Sequence, residues 1–306
     1  MRDDLGDDVK EHRGEERALL VVDETGFLKK GTHSAGVPRQ YSGTAGRSEN
    51  CPIGLFLAYA SERGRTFLER ELSLPKEGAE DQERREGAGV SEEVEFATKP
   101  ELARRMRERA LEGGVPAGWV RGDTVSGGDR KLRMWLEERR QALRAGGARQ
   151  RGALEPHGAG PSPGTSRRAR GGGQRGAVAA HECGRGRQGA AALRRGEGPP
   201  LQAGGEGWNQ ALLVRRRISQ EKELASYVVF APAETSLAEL VRVAGSRWSI
   251  EECLESAKGE GGLDQYEGRR WEGGYRYITL ALVAHAYLAL LRHQAEEAGG
   301  KGGEVG

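Results

Sequence analysis

The chain has 306 residues, room for one large or two ordinary domains, with 36% hydrophobic and 31% charged residues and a mean hydropathy of −0.69, at the polar edge for a globular protein. Forty-eight Lys and Arg against 46 Asp and Glu leave a formal net charge of +2, which excludes a global electrostatic case for nucleic-acid binding and leaves such affinity to local clusters. Cys51, Cys183 and Cys253 form no C-x-x-C pair and have no His at zinc spacing, so neither a disulfide framework nor a zinc site is indicated, and a reduced cytoplasmic compartment fits best.

The N-terminus is highly charged and lacks the apolar core of a signal peptide. Residues 18–22, ALLVV, read as a short strand buried on both faces that ends at Asp23, and the following TGFLKKG contains turn chemistry. IGLFLAYAS and RTFLERELSLP read as strands turning at residues 62–64, and ELARRMRERALE reads as a helix. Trp119 and Val120 lead into Gly122, Asp123 and Thr124, repeating the arrangement around Asp23. Gly127 and Gly128 then break the chain before a helix marked by Leu132, Trp135 and Leu136.

Residues 141–205 are foreign in composition: rich in Gly, Arg and Ala, without Lys, Asp, Asn, Ile, Met, Phe, Tyr or Trp. Such a segment is expected to be disordered. A long structureless stretch inside a compact domain is itself a reason to question the assignment.

Ser236 and Glu239 form a capping-box pattern ahead of Leu237, Leu240, Val241, Ala244, Trp248 and Ile250, which predicts one helix continuing through residue 258. On it Arg247, Glu251 and Lys258 are offset by four and seven residues and share a face. ITLALVAHAYLALL, apolar around its circumference, predicts a buried helix with His285 as a packed core residue; the stretch is too short to span a bilayer, so no membrane is expected. The tail from Gln294 to Gly306 is expected to be disordered.

Carboxylates at two strand ends, Asp23 and Asp123, and one on a helix, Glu251, suit a hard divalent cation bound through oxygen. Mg2+ or Mn2+ is the expected cofactor. Two ions about 3.5–4 Å apart would activate a water or 3′-hydroxyl on one side and stabilise the leaving oxygen on the other. Singly, Asp23 could begin a turn, Asp123 could cap a helix, and Glu251 could pair with Arg247 on a helix surface. The combination with the Arg and Lys spacing favours the metal site.

VVDETGFLKKG, GDTVSGG and RWSIEECLESAKGEGGLDQYE together resemble insertion-sequence transposases with a DDE catalytic core, in the group with a Y-R-E-K signature. Arg247, Glu251 and Lys258 fit the last three positions, while Ala244 stands where the signature has Tyr and Ser126 where the family usually has an aromatic residue. The resemblance covers residues 18–140 and 208–292. It implies an α/β, ribonuclease H-like mixed sheet flanked by helices and interrupted by an insertion. Asp23, Asp123 and Glu251 would be the catalytic, metal-binding triad, Arg247 and Lys258 would contact DNA phosphates, and Lys29 and Lys30 are further candidates near Asp23. The partner implied is DNA, as transposon ends and target, with two copies of the chain in a synaptic complex. The family usually carries a longer N-terminal DNA-binding region, so the chain is expected to be truncated.

The expected organisation is a first core part over 1–140, the foreign segment over 141–205, remnant insertion-domain strands over 206–235, a helical core part over 236–293, and a tail. Back-translated with GC-rich codons and reread one base along, HECGRGRQGAAALRRGEGPP becomes MSAGEGAKGPRLYDGARVPL, similar to the family, and QALRAGG becomes QAYVLAV, an apolar strand. A frameshift near codon 142, restored before Trp208, accounts for both, and the chain would then be an inactive or degraded copy.

Two other readings stand beside transposition: a ribonuclease H-like nuclease using the same triad without strand transfer, and a non-catalytic nucleic-acid-binding remnant. The remaining basic clusters, Arg39 with Arg47, Arg215 to Arg217, and Arg269 with Arg270, read first as solvated charged faces.

Overall fold

The computed structural model describes residues 2–43, 45–122, 130–151, 178–181, 191–194, 207–217, 220–246 and 248–300. After α1 (Arg2–His12), the apolar run forms β1 (Leu19–Gly26), followed by a small hairpin, β2 (Arg39–Ser42) and β3 (Arg47–Asn50). Next come β4 (Ile53–Ser61), β5 (Gly64–Leu72), α2 (Lys76–Glu80), α3 (Gln82–Ala88) and α4 (Lys99–Glu112). Then follow β6 (Trp119–Arg121), α5 (Arg130–Glu138), β7 (Ala142–Arg151), β8 (Val178–His181), β9 (Ala191–Arg194), β10 (Trp208–Arg217) and β11 (Gln220–Pro232). The chain closes with α6 (Leu237–Gly245), α7 (Trp248–Gly259) and α8 (Trp271–Gly300).

One mixed sheet has the order β5-β4-β1-β6-β7-β11-β10-β9-β8. β1 is antiparallel to β4 and parallel to β6, and β6 is parallel to β7. A mixed sheet flanked by helices is the α/β class expected. Strand period two sorts β1 between two cores. Leu19 and Val21 face α7 and α8, packing with Ile250, Cys253, Ala257, Ile278 and Leu282. Leu20 and Val22 face α4 and α5, packing with Leu102, Met106, Leu132 and Leu136. β1 is therefore apolar along most of its length because both of its faces are covered.

The helix α4 starts where its sequence directs: Thr98 accepts from the Glu101 amide at 3.4 Å while the Glu101 carboxylate accepts from the Thr98 amide at 2.8 Å, a complete capping box. The same pattern at Ser236 forms by half. Ser236 accepts from the Glu239 amide at 3.2 Å, but the Glu239 carboxylate is drawn away to Arg17 (2.6 Å), Arg242 (2.6 Å) and the Trp119 indole (2.9 Å). Charge-assisted partners outcompete a single backbone amide.

Four expectations need correction. The single helix over 236–258 is two helices, since Ser246 turns its amide and hydroxyl to the Val243 carbonyl, ending α6 after Gly245. The segment from 141 begins with an ordered central strand, because backbone pairing with β6 and β11 needs no particular side chains, and Ala142, Leu143 and Ala145 are buried there. α8 continues to Gly300 rather than stopping near Gln294. It is also apolar beyond its buried face: Ile278, Leu282 and Ala286 are buried, while Leu280, Tyr287 and Leu291 are exposed. By length and composition alone a helix of this kind could cross a membrane, yet one face packs against β5, α1 and α7. His285 is buried against Phe67 at 5.3 Å, and burial lowers its pKa to about 4.

Glu239 ties the entry to β1, through Arg17, to β6, through Trp119. Its Arg242 hydrogen bonds, working against burial, hold its pKa down at about 2. A carboxylate depressed in the folded state stabilises fully above its ordinary value near 4.5 and loses that contribution as pH falls toward 2. Glu239→Gln is expected to cost about 1–3 kcal/mol at neutral pH, with the difference from the parent chain shrinking below pH 4.5. Urea melts followed by tryptophan fluorescence at pH 7 and pH 3 read this. Equal losses at both values would show that the carboxylate charge is not the stabilising element.

Candidate functional site

Asp23 extends the Leu19 and Val21 face of β1 and lies opposite Phe56 of β4. Its side chain is half-buried, and its Oδ1 accepts from the Glu24 amide at 2.9 Å. Glu24 points to the other face and pairs with Lys99 of α4 at 2.8 Å, so adjacent carboxylates are separated by the strand's own alternation.

β6 brings a second segment to the same end. Leu19 is in register with Trp119, Leu20 with Val120 and Val21 with Arg121, and the Gly122 amide then donates to the Arg144 carbonyl at 3.0 Å. Asp123 is the next residue; it and Arg247 lie outside the described residues.

The helix α7 covers this face, burying Ile250, Cys253, Leu254 and Ala257. Its direction follows from two charges. Near its start Glu252 pairs with Arg65, whose strand partner Ala60 lies opposite Leu19 at the beginning of β1. Near its end Lys258 lies within electrostatic reach of Asp23. Glu251 is exposed on the side of Lys258, two turns or about 10 Å earlier along the helix. The structure therefore brings Lys258 to Asp23 and places Glu251 on the same strip of helix, toward the start of β1.

Burial pushes the Lys258 ammonium below its ordinary value, opposed by Asp264 and Asp23. Asp264 belongs to the turn after α7. Gly262 there has φ +66°, in the left-handed region, and its carbonyl accepts from Gln265 and from the Tyr277 hydroxyl. Lys29 reaches the same turn: its ammonium lies 4.0 Å from the Tyr266 ring centre and donates to the Tyr266 carbonyl. Burial lowers the Lys29 pKa, opposed by Glu267. Lys30, by contrast, is exposed.

Tyr266 and Asp264 were not singled out from sequence. The GGLDQYE turn signalled a bend, but its contact with Lys29 spans 237 residues and has no local pattern.

The donor chemistry suits a hard cation. Asp23 offers carboxylate oxygen at a strand end and Glu251 offers a second carboxylate on the covering helix. Among the described residues no group of three His, Cys, Asp or Glu is close enough to hold a metal ion, so a three-carboxylate site here requires Asp123.

A family model for the DDE superfamily endonucleases matches residues 1–196, more than half of the chain. The chain belongs to this superfamily. Its members generally use divalent metal ions. No curated protein matches the chain. Among solved structures, the piggyBac transposase synaptic complex with hairpin DNA is similar at 10% identity and a TM-score of 0.43, covering 92% of this chain and 48% of that one. The chain thus spans about half the length of that transposase.

The closeness of Asp23 to Lys258 has a direct readout. A neighbouring negative charge favours the protonated amine, so Asp23→Asn is expected to lower the Lys258 pKa further. Reductive 13C-methylation of lysines and NMR titration measure it. An unchanged value would place the ammonium out of reach of Asp23.

Proposed function

We propose that the chain derives from a metal-dependent DNA transposase that cleaves a strand and transfers its end, and that this copy is degraded within residues 141–205. The supporting observation is the convergence of β1, β6 and α7: α7 packs on the β1 face that ends at Asp23, with Lys258 within electrostatic reach of Asp23, and β6, parallel to β1, delivers the chain to Gly122, one residue before Asp123 in the sequence. The two-residue strand period puts Leu19, Val21 and Asp23 on the α7 face, and the parallel register puts Trp119 of β6 beside Leu19 in the same core.

In this reading Asp23, Asp123 and Glu251 would hold Mg2+ or Mn2+, as two ions, which would supply Lewis-acid polarisation of the scissile phosphate and a lowered pKa for the attacking water. Water attacks phosphorus in line, the P–O3′ bond breaks, and the freed 3′-hydroxyl attacks a phosphodiester of target DNA, expelling its 3′ oxygen. Lys258 and Arg247 neutralise phosphate beside the carboxylates. Lys29, braced on Tyr266, holds its charge in a fixed place, while Lys30 adds a loose contact of the kind that makes binding salt-dependent.

Mg2+-dependent nicking of labelled transposon-end DNA is expected to fall by about 100-fold or more in Asp23→Ala, Asp123→Ala and Glu251→Ala. Retained nicking in any of them would remove that residue from the triad. A joined product containing target DNA separates transposition from simple nuclease action. Binding with steep salt dependence and no cleavage would favour a non-catalytic remnant.

Support for degradation comes from β7. A strand between β6 and β11 is usually apolar on both faces, yet here Arg144 is 2% exposed, with its guanidinium 3.6 Å from the Tyr227 ring centre. The shifted frame puts Val at 144 and Leu at the buried position 145. Because buried ionic groups replaced by apolar residues of similar volume often leave stability unchanged or raise it by about 1–4 kcal/mol, Arg144→Met, which keeps the bulk on Tyr227, is expected to hold or raise the urea midpoint. A lowered midpoint would remove Arg144 as support for degradation, and stop codons in the shifted frame of the gene would refute the frameshift.

A further inference from the structure

Beyond Gly26 the antiparallel ladder between β1 and β4 runs on into the connection that follows, since the Phe27 amide donates to the Pro52 carbonyl at 3.0 Å and the Lys29 amide to the Asn50 carbonyl at 2.8 Å. Asn50 also ends β3, where it lies opposite Arg39 of β2. The backbones of Lys29 and Arg39 therefore flank the same residue, about 10 Å apart at two strand spacings. Asp23 precedes Lys29 by six positions along this extended chain, about 20 Å at the usual strand rise. The β2–β3 hairpin thus stands at the carboxyl end of β1, the end at which Asp23 lies.

The two faces of the hairpin differ. Ser42 is buried, its hydroxyl accepts from the Ala45 amide at 3.3 Å, and Gln40 donates to the Cys51 carbonyl at 2.7 Å. Gly26 of β1 makes room for this face: a Cβ there would meet the Cys51 sulfur at 3.3 Å and the Ser42 hydroxyl at 3.5 Å. Strand alternation turns the residues between them, Arg39 and Tyr41, outward. Tyr41 is 66% exposed, more than any other large hydrophobic side chain among the described residues.

The outer surface is cationic. Glu49 is the one carboxylate of the hairpin, and Arg47 holds it at 2.6 Å, so that pair adds no net charge. Lys30 and Arg39 are exposed, and among the described residues neither forms an ion pair. Two uncompensated cations and a phenol hydroxyl, presented by a ribbon anchored on its other face, complement a row of phosphates, which bind Arg, Lys and Tyr side chains without regard to base sequence.

We infer that the outer face of the β2–β3 hairpin binds the phosphate backbone of duplex DNA within one helical turn of the Asp23 site, Arg39 by ion pairing and Tyr41 through its hydroxyl. The distance along the extended chain, about 20 Å, is shorter than the roughly 34 Å of one turn. This assignment rests on the DNA reading of the preceding subsection and adds to it a contact that holds the duplex in place without reading its sequence.

Fluorescence anisotropy of the full-length protein in EDTA, with a fluorescein-labelled duplex of about 30 base pairs, or three turns, over a series of salt concentrations tests the assignment. Arg39→Ala is expected to weaken binding on the order of tenfold and to lower the slope of log K against log salt by about 0.9, the share of one phosphate contact. Arg39→Lys should restore the slope. Tyr41→Phe, which keeps the ring, is expected to weaken binding about threefold with the slope unchanged. Arg63→Ala removes an equal charge from the β4–β5 turn, at the other end of the strands, and should bind as the parent chain does. Melting curves of each variant report its fold. An unchanged slope in Arg39→Ala, an equal loss in Arg63→Ala, or, should Arg39→Ala not fold, full affinity in Tyr41→Phe would overturn the hairpin assignment. Mg2+-dependent nicking with no slope change in Arg39→Ala would sink the hairpin alone, the slope change without nicking would sink the catalytic reading alone, and a parent chain that binds no duplex would sink both.

Discussion

Burial of β1 on both faces is the constraint from which the site follows. Leu19 and Val21 need cover from α7 and α8, Leu20 and Val22 from α4 and α5, and the strand runs between β4 and β6. Asp23 comes where that apolar run ends, on the α7 face. The helix that completes the core on this face is also the one carrying Lys258 and Glu251, so packing and site assembly use a single element. Glu239 secures the opposite end of the same strands through Arg17 and Trp119.

Charge is distributed in two contrasting ways. Around Asp23 it is half-buried and balanced: Lys258 within electrostatic reach of Asp264 and Asp23, Lys29 on the ring of Tyr266. In β7 a cation lies inside the sheet, where Arg144 stacks on Tyr227 beside its strand partner Val229. A protein can keep its backbone ladder while its core chemistry is altered, because the ladder is made by groups every residue possesses. That explains how a segment so unlike a strand in composition still occupies the middle of a sheet.

Local patterns were the legible part. The runs that became β1, β4 and β5 and the helices α4 and α5 follow from period, β-branched and aromatic content, and capping chemistry confined to a few residues. The break at Gly245 and Ser246 was not legible, because the apolar period continues across it and the Ser246 contact to Val243 competes with helix continuation only locally. The exposed stripe of Leu280, Tyr287 and Leu291 was equally hidden, since an all-apolar helix does not declare which side its neighbours will leave open.

By itself the sequence determined the kinds of element, their order, and a set of acidic and basic residues whose spacing resembles a DDE core. Tertiary structure decided which of these meet: that Lys258 lies by Asp23, that Lys29 is held on Tyr266 across 237 positions, that Glu239 serves two strands rather than its own helix cap, and that Asn50 stands between the backbones of Lys29 and Arg39. The reason is one of range. Propensity and periodicity act over a turn or two of chain, whereas a charge or an aromatic ring chooses its partner only after the sheet has brought distant segments together.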